Sequence, residues 1–159
     1  MEAGLTVGFE SASAADARGL VELRIAAMRD SLERLGRFDP HRARDRFLAR
    51  FDPALTRHVV VDGRRVGFVV VRPQDDGLLL DHLYVAPSAQ GRGIGSAVMT
   101  EILADADARG LRVYVGALRE SASNRFYERH GFVMVASSEW DNHYERPARA
   151  GSPHDGAVR

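Results

Sequence analysis

Residues 78–102 constrain the fold of this chain more than any other stretch. An apolar run from Leu78 to Val85, broken by Asp81 and His82, predicts a buried strand. A short loop follows with Gly91, Gly93 and Gly95 at alternate positions. From Ile94 the apolar residues recur as Ile94, Val98 and Ile102, one face of a helix. Glycines let a backbone come close to a ligand, and the N–H groups here sit at a helix N-terminus. The stretch is therefore an anion site made from backbone, needing no charged side chain.

Spelling removes two kinds of phosphate loop. A P-loop needs Gly-Lys-Ser/Thr, and all 22 residues counted as lysine or arginine are arginine. The dinucleotide fingerprint would need glycine where Ser96 stands and a glycine close behind the strand, whereas Gly91 comes well after Val85. What remains is Gln-x-x-Gly-x-Gly (Gln90, Gly93, Gly95) behind a strand ending Leu83-Tyr84-Val85-x-Pro87. This resembles the acyl-CoA pyrophosphate loop of the GNAT N-acetyltransferases. The alternative for the loop alone is a glycine-rich turn opening an ordinary helix. A second segment, Asn124-Arg-Phe-Tyr-Glu-Arg-His-Gly-Phe132, is similar to the part of these enzymes that places an asparagine against the cofactor and a tyrosine near its sulfur. Read without the resemblance, Phe126 and Tyr127 are core aromatics and Gly131 is a helix C-cap.

The remaining pattern orders the elements. Leu5 to Phe9 reads as a strand, and Ser11 or Ser13 caps a helix with apolar face Leu20, Val21, Ile25 and Met28. Asp39-Pro40 starts a helix through His41 to Arg50. Arg57 to Val61 and Val66 to Arg72 flank Asp62-Gly63, a hairpin signal. After the glycine loop the helix runs to about Arg109, Leu111 to Val115 is a strand, Ser121 to His130 a helix, and Phe132 to Ala136 and His143 to Arg146 closing strands. The order β, α, α, β, β, β, α, β, α, β, β is also that of the GNAT fold. It implies an α/β (α+β) mixed sheet, mostly antiparallel, with one parallel strand pair; the resemblance implies that this pair is splayed and flanked by helices. Residues 1–146 form the expected domain; residues 147–159, Pro-, Gly-, Ala- and Arg-rich, are expected to be a disordered tail.

Composition excludes whole classes of chemistry. With no cysteine, disulfides, thiolate metal sites and an acyl-cysteine intermediate are impossible. Twenty-two basic and 22 acidic residues leave no net charge, so a nucleic-acid partner is not expected. The first residues show no signal-peptide pattern, and no apolar run approaches a membrane span. The cytoplasm is the expected compartment, and the arginine-only basic set resembles that of a GC-rich bacterial genome.

The resemblance implies a mechanism. Acetyl-CoA is the co-substrate, without a metal, and its pantetheine arm pairs with the backbone at Leu83, Tyr84 and Val85 like an added strand. The loop Gln90, Gly91, Arg92, Gly93, Ile94, Gly95 and Ser96 holds the pyrophosphate, and Asn124 lies against the cofactor. A backbone N–H near Tyr84 or Val85 stabilises the oxyanion while an amine attacks the thioester. Tyr127 returns a proton to the departing thiolate. Asp81 is the expected base, directly or through water, with His82 or a water chain as alternatives. Strand parity lets only one of Asp81 and His82 face the acceptor. Met28, Phe38 and His82 are expected against the acceptor, with Trp140 and Tyr144 as further walls and Glu22, Asp39 and Asp141 as partners for its charge. The acceptor is a primary amine of a small molecule or a peptide, and homodimerisation is left open. A degenerate acyl-CoA-binding regulator is the alternative function.

Overall fold

The computed structural model describes residues 5–34, 36 and 39–149. Strand β1 (Gly8–Ser11) leads through a 3-10 turn at Ala14–Asp16 into helix α1 (Ala17–Arg34) and then α2 (Pro40–Arg50). Strands β2 (Thr56–Val61), β3 (Arg64–Pro73) and β4 (Gly77–Val85) follow, then α3 (Ile94–Ala108), β5 (Arg112–Leu118), α4 (Ser123–Arg129), β6 (Val133–Ser137) and β7 (Asp141–Arg146). The element order is the one the pattern predicts. β1 begins later than the expected Leu5, and β5 runs past the expected Val115 to Leu118.

Local chemistry explains the boundaries. The Asp39 carboxylate accepts a hydrogen bond from the Arg42 N–H at 3.1 Å, and Pro40, lacking an N–H, fills the first helical position. Asp62 and Gly63 both have left-handed φ, 52° and 77°, the turn that matches the twist of the β2–β3 hairpin.

The seven strands form one mixed sheet in the order β1-β2-β3-β4-β5-β7-β6. β1–β2, β2–β3, β5–β7 and β6–β7 pair antiparallel. β4 and β5 pair parallel from Gly77↔Arg112 to Leu80↔Val115, while β4 itself extends to Val85 and β5 to Leu118. β7 lies between β5 and β6, so these two strands, consecutive in the chain, are not neighbours in the sheet.

The chain forms two compact units, Met1–Val71 with His82–Val98, and Arg72–Asp81 with Met99–Arg159. In the first, Leu20, Val21 and Ile25 of α1 pack with Phe47 of α2 and with Phe68 and Val70 of β3. Phe47 meets Phe68 edge-on, with centroids 5.7 Å apart, and stacks on Phe51 at 5.8 Å. In the second, Met99, Ile102, Val113, Val115, Tyr127, Phe132 and Tyr144 are buried. Residues 150–159, most of the expected tail, lie outside the described residues; the Arg149 N–H donates to Asp107 at 2.9 Å.

One polar contact in the first unit makes stability depend on pH. His58, 5% exposed, meets the Asp16 carboxylate through Nε2 at 3.0 Å, and the Ser13 N–H donates to the same carboxylate at 2.8 Å. These bonds, the histidine's first, lower the Asp16 pKa from 3.8 to about 2. A lowered folded-state pKa stabilises the fold above the ordinary carboxylate range, and that contribution fades as pH falls toward the folded value. Asp16→Asn should therefore lower the melting temperature at pH 7, with the gap from the parent narrowing between about pH 4 and pH 2. A gap constant over that window would show that the carboxylate's charge is not what stabilises.

Candidate functional site

The end of β4 and the loop after it are built to expose backbone. The Ala86 N–H donates to the Val66 carbonyl at 2.8 Å, and the Gln90 amide donates to the Val85 carbonyl at 2.9 Å, tying the loop back onto the strand. A 3-10 turn at Pro87–Ala89 carries the chain to Gly91 and Gly93, whose φ values are +82° and +79°. Residues with a side chain rarely adopt that conformation. A Cβ built on either glycine would meet nothing within 4 Å, so their outer side is open. Ile94 then opens α3 with its side chain 2% exposed, and the first helical turn closes with Ala97 N–H to Gly93 C=O at 3.0 Å. In any α-helix the N–H groups before that point, here those of Ile94 and Gly95, have no acceptor within the helix. Left-handed glycines, a helix N-terminus and open space on the outer side together fit a pyrophosphate.

The residues expected at this site differ in what they can contribute. Gly91, Gly93, Gly95 and Ser96 offer backbone. Ile94 can offer only its N–H, because its side chain is core. Arg92 is exposed. Gln90 uses its amide N–H on Val85, so its visible role is to shape the loop. Leu83, Tyr84 and Val85 are half-buried.

A glycine outside the motif controls this strand end. A Cβ on Gly67 of β3 would lie 2.3 Å from the Tyr84 carbonyl oxygen and 3.2 Å from the Val85 Cα. Both contacts are to backbone, so any side chain at 67 would displace β4 where the oxyanion-binding N–H is expected. Nothing in the local pattern of β3 marked Gly67 for this.

His82 and Tyr84 share one face of β4, as alternation requires. The His82 ring lies 5.3 Å from Phe47, 6.1 Å from Phe68 and 5.6 Å from Tyr84. The Tyr84 hydroxyl donates to the Met28 sulfur at 3.2 Å, so two candidate acceptor-side residues, Met28 and His82, both adjoin Tyr84. Arg24, which the motif reading passed over, places its guanidinium 5.9 Å from the Tyr84 ring centre. Phe38 lies outside the described residues.

Asp81 is not a free carboxylate. Arg72 Nε donates to it at 2.7 Å, and both side chains are largely buried, 15% and 18% exposed.

Asn124 is committed within the protein. Its amide N–H₂ donates to the Leu118 and Ser121 carbonyls, both at 2.9 Å, and its oxygen accepts from Asn142 Nδ2 and from the Tyr144 hydroxyl, both at 2.9 Å. An asparagine side chain has two donors and two acceptor positions, and all are used. Asn124 is a bracket joining the end of β5, the start of α4 and β7. Tyr144, 2% exposed and bound to that bracket, is core rather than an acceptor wall; burial raises its pKa. Tyr127 of α4 is 9% exposed, its ring 5.6 Å from Phe132 and 6.1 Å from Tyr144. Glu22 and Asp39 are also engaged, Glu22 by Arg44 at 2.7 Å and Asp39 as the cap of α2.

Comparison with known proteins agrees with this architecture. Residues 54–134 match the family model described as an acetyltransferase (GNAT) domain. Over 76 residues the chain is 38% identical to an uncharacterized N-acetyltransferase of Mycobacterium tuberculosis (strain ATCC 25618 / H37Rv), a match covering 46% of this chain and 49% of that protein. The chain thus spans about half the length of the curated relatives it matches. Among solved structures, the PaiA N-acetyltransferase of Thermoplasma acidophilum, crystallised with coenzyme A, superposes with TM-score 0.72 at 15% identity, covering 90% of this chain and 99% of that one. The ribosomal-protein-S18-alanine N-acetyltransferase of Escherichia coli gives 0.69 at 16% identity over 93% and 98% of the two chains. At such identities these structures establish the fold alone. The family-model match spans more than half of the sequence and includes β4, the glycine loop and α4, and on that ground the chain belongs to the GNAT acetyltransferase family.

Proposed function

We propose that this protein transfers an acetyl group from acetyl-CoA directly to a primary amine of a small molecule or a peptide. The observation that carries the reading is the loop itself: two left-handed glycines and a helix N-terminus with open space outside, behind a strand whose parallel ladder ends before the strand does. Backbone N–H groups from Gly91 to Ser96 take the pyrophosphate, and the backbone of residues 83–85 takes the pantetheine arm. The N–H of Tyr84 or Val85 stabilises the oxyanion as the amine nitrogen bonds to the thioester carbon. The carbon–sulfur bond then breaks, and Tyr127 protonates the thiolate.

The side-chain geometry adds a positioning contact to two of the proposed site residues. The ion pair with Arg72 supports a structural role for Asp81 alongside its chemical one; the base in this reading is Asp81, directly or through water, with His82 or a water chain as the alternative. The saturated hydrogen bonding of Asn124 supports a positioning role: it fixes the start of α4, and with it Tyr127, against β5 and β7. Among the described residues no helix is long and apolar enough to cross a membrane.

Only the folded loop presents its N–H groups, so acetyl-CoA should stabilise the protein. At 100 times its dissociation constant the gain is about 2.7 kcal/mol, or roughly 5–10 °C in melting temperature. Gly93→Val should abolish the shift. A melting temperature unmoved by millimolar acetyl-CoA would defeat the reading. A full shift with no CoA release from any amine in a mixed panel would favour an acyl-CoA-binding regulator instead.

A further inference from the structure

The apolar stripe of α1 contains one residue that does not belong there by polarity. Leu20, Val21, Ile25 and Met28 follow helical spacing, and Arg24 sits among them, four residues after Leu20 and four before Met28. Leu20, Val21 and Ile25 are at most 5% exposed, so this face of the helix is packed. Arg24 as a whole is partly exposed, yet its Nε and Nη1 are buried and have no hydrogen-bond partner among the described residues. Its guanidinium lies toward the Tyr84 ring, whose hydroxyl is bonded to Met28. Two carboxylates of the same unit are engaged with other residues: Glu22 with Arg44, and Asp16 with His58 and Arg65.

A guanidinium is always charged, and covering two of its nitrogens without an acceptor costs free energy that an apolar residue would not. Arg24 therefore adds little to the stability of α1. What it offers is a desolvated cation with unpartnered N–H groups beside Tyr84, suited to an anion. We propose that Arg24 binds an anionic group on the acceptor, so that the protein acts on amines bearing a carboxylate or a phosphate. The proposal rests on the acetyltransferase reading and narrows its substrate class. Arg24 acts on specificity: it holds the anion, and the amine is thereby placed at β4, where His82 and Tyr84 stand.

Matched acceptors test this: α-amino acids against their carboxamides, and O-phosphoethanolamine against ethanolamine, scored by kcat/KM with acetyl-CoA. The parent should prefer the anionic member of a pair by roughly 10–100-fold, the value of a charge-assisted hydrogen bond. The pair showing the larger preference tells carboxylate from phosphate. Arg24→Met should remove that preference while leaving the neutral members within about twofold, and Arg24→Lys should restore part of it. The melting temperature of Arg24→Met should be no lower than the parent's. Equal turnover of both members by the parent would overturn the proposal. So would an equal loss on both in Arg24→Met, or a marked drop in melting temperature in both Arg24→Met and Arg24→Gln. Absence of turnover with every amine would instead defeat the acetyltransferase reading. The anion site is then judged by binding: a melting shift from the same acids or from O-phosphoethanolamine in the parent, absent in Arg24→Met, upholds it, and no shift overturns it.

Discussion

Tyr127→Phe should lower turnover by roughly 10²–10⁴-fold, the usual contribution of a positioned acid, while the fold and acetyl-CoA affinity persist. The reason lies in what the substitution removes. Tyr127 is 9% exposed, and its ring is fixed by Phe126 at 5.6 Å, Phe132 at 5.6 Å and Tyr144 at 6.1 Å. Phenylalanine keeps these contacts and deletes only the hydroxyl. A phenol with the ordinary pKa of ~10 is protonated at neutral pH, so the proton is available; because the thiol to be formed has a pKa of ~8.5, its transfer is uphill by about 2 kcal/mol and depends on positioning. Single-turnover measurement with chemistry rate-limiting reads the loss, and the melting shift with acetyl-CoA reports that the cofactor still binds. Turnover within about threefold of the parent would make Tyr127 a wall of the pocket and nothing more.

The second large effect concerns the fold. Arg146 of β7 is 4% exposed and bonds Asp107 of α3 with both ends of its fork, Nη1 at 2.9 Å and Nη2 at 3.0 Å. The Asp107 pKa is lowered, first by Arg146 and further by the Arg149 N–H, against the opposing effect of burial. Asp107→Ala leaves a buried guanidinium without its counter-charge, which costs about 3–5 kcal/mol. For a chain of this size that is a fall in melting temperature of roughly 10 °C. Replacing the pair together, Asp107→Leu with Arg146→Met, should recover most of the loss, because the cost comes from the stranded charge rather than from absent attraction. A loss under about 1 kcal/mol in Asp107→Ala would show that water reaches Arg146 and the pair behaves as a surface one.

At residues 90–96 the chemistry is backbone chemistry, and the glycines that permit it are written in consecutive letters. Gly91 and Gly93 do have left-handed φ, and α3 does begin at Ile94. Capping is equally local, as at Asp39-Pro40, and so is the Asp62-Gly63 turn. Arg24 was legible in principle, since a charge within an apolar stripe is a local anomaly, but a motif search looks for expected letters and passes over misplaced ones.

Side-chain commitments form over longer separations and are not written locally. Nothing around Asp81 says that Arg72 will hold it, and nothing in Asn124-Arg-Phe-Tyr says that Asn142 and Tyr144 will use up the asparagine's oxygen. That requires β7 to insert between β5 and β6, a choice among sheet orders that hydrophobic alternation leaves degenerate. The 2.3 Å approach that forbids a Cβ at Gly67 likewise exists only once β3 and β4 are side by side. The sequence alone determined the elements, their order, and the backbone loop, because each depends on residues within a turn or two of one another. The tertiary structure decided which carboxylate is paired, which amide is spent and, among the described residues, which guanidinium N–H groups are left without an acceptor, because hydrogen-bond saturation depends on neighbours brought together only by folding.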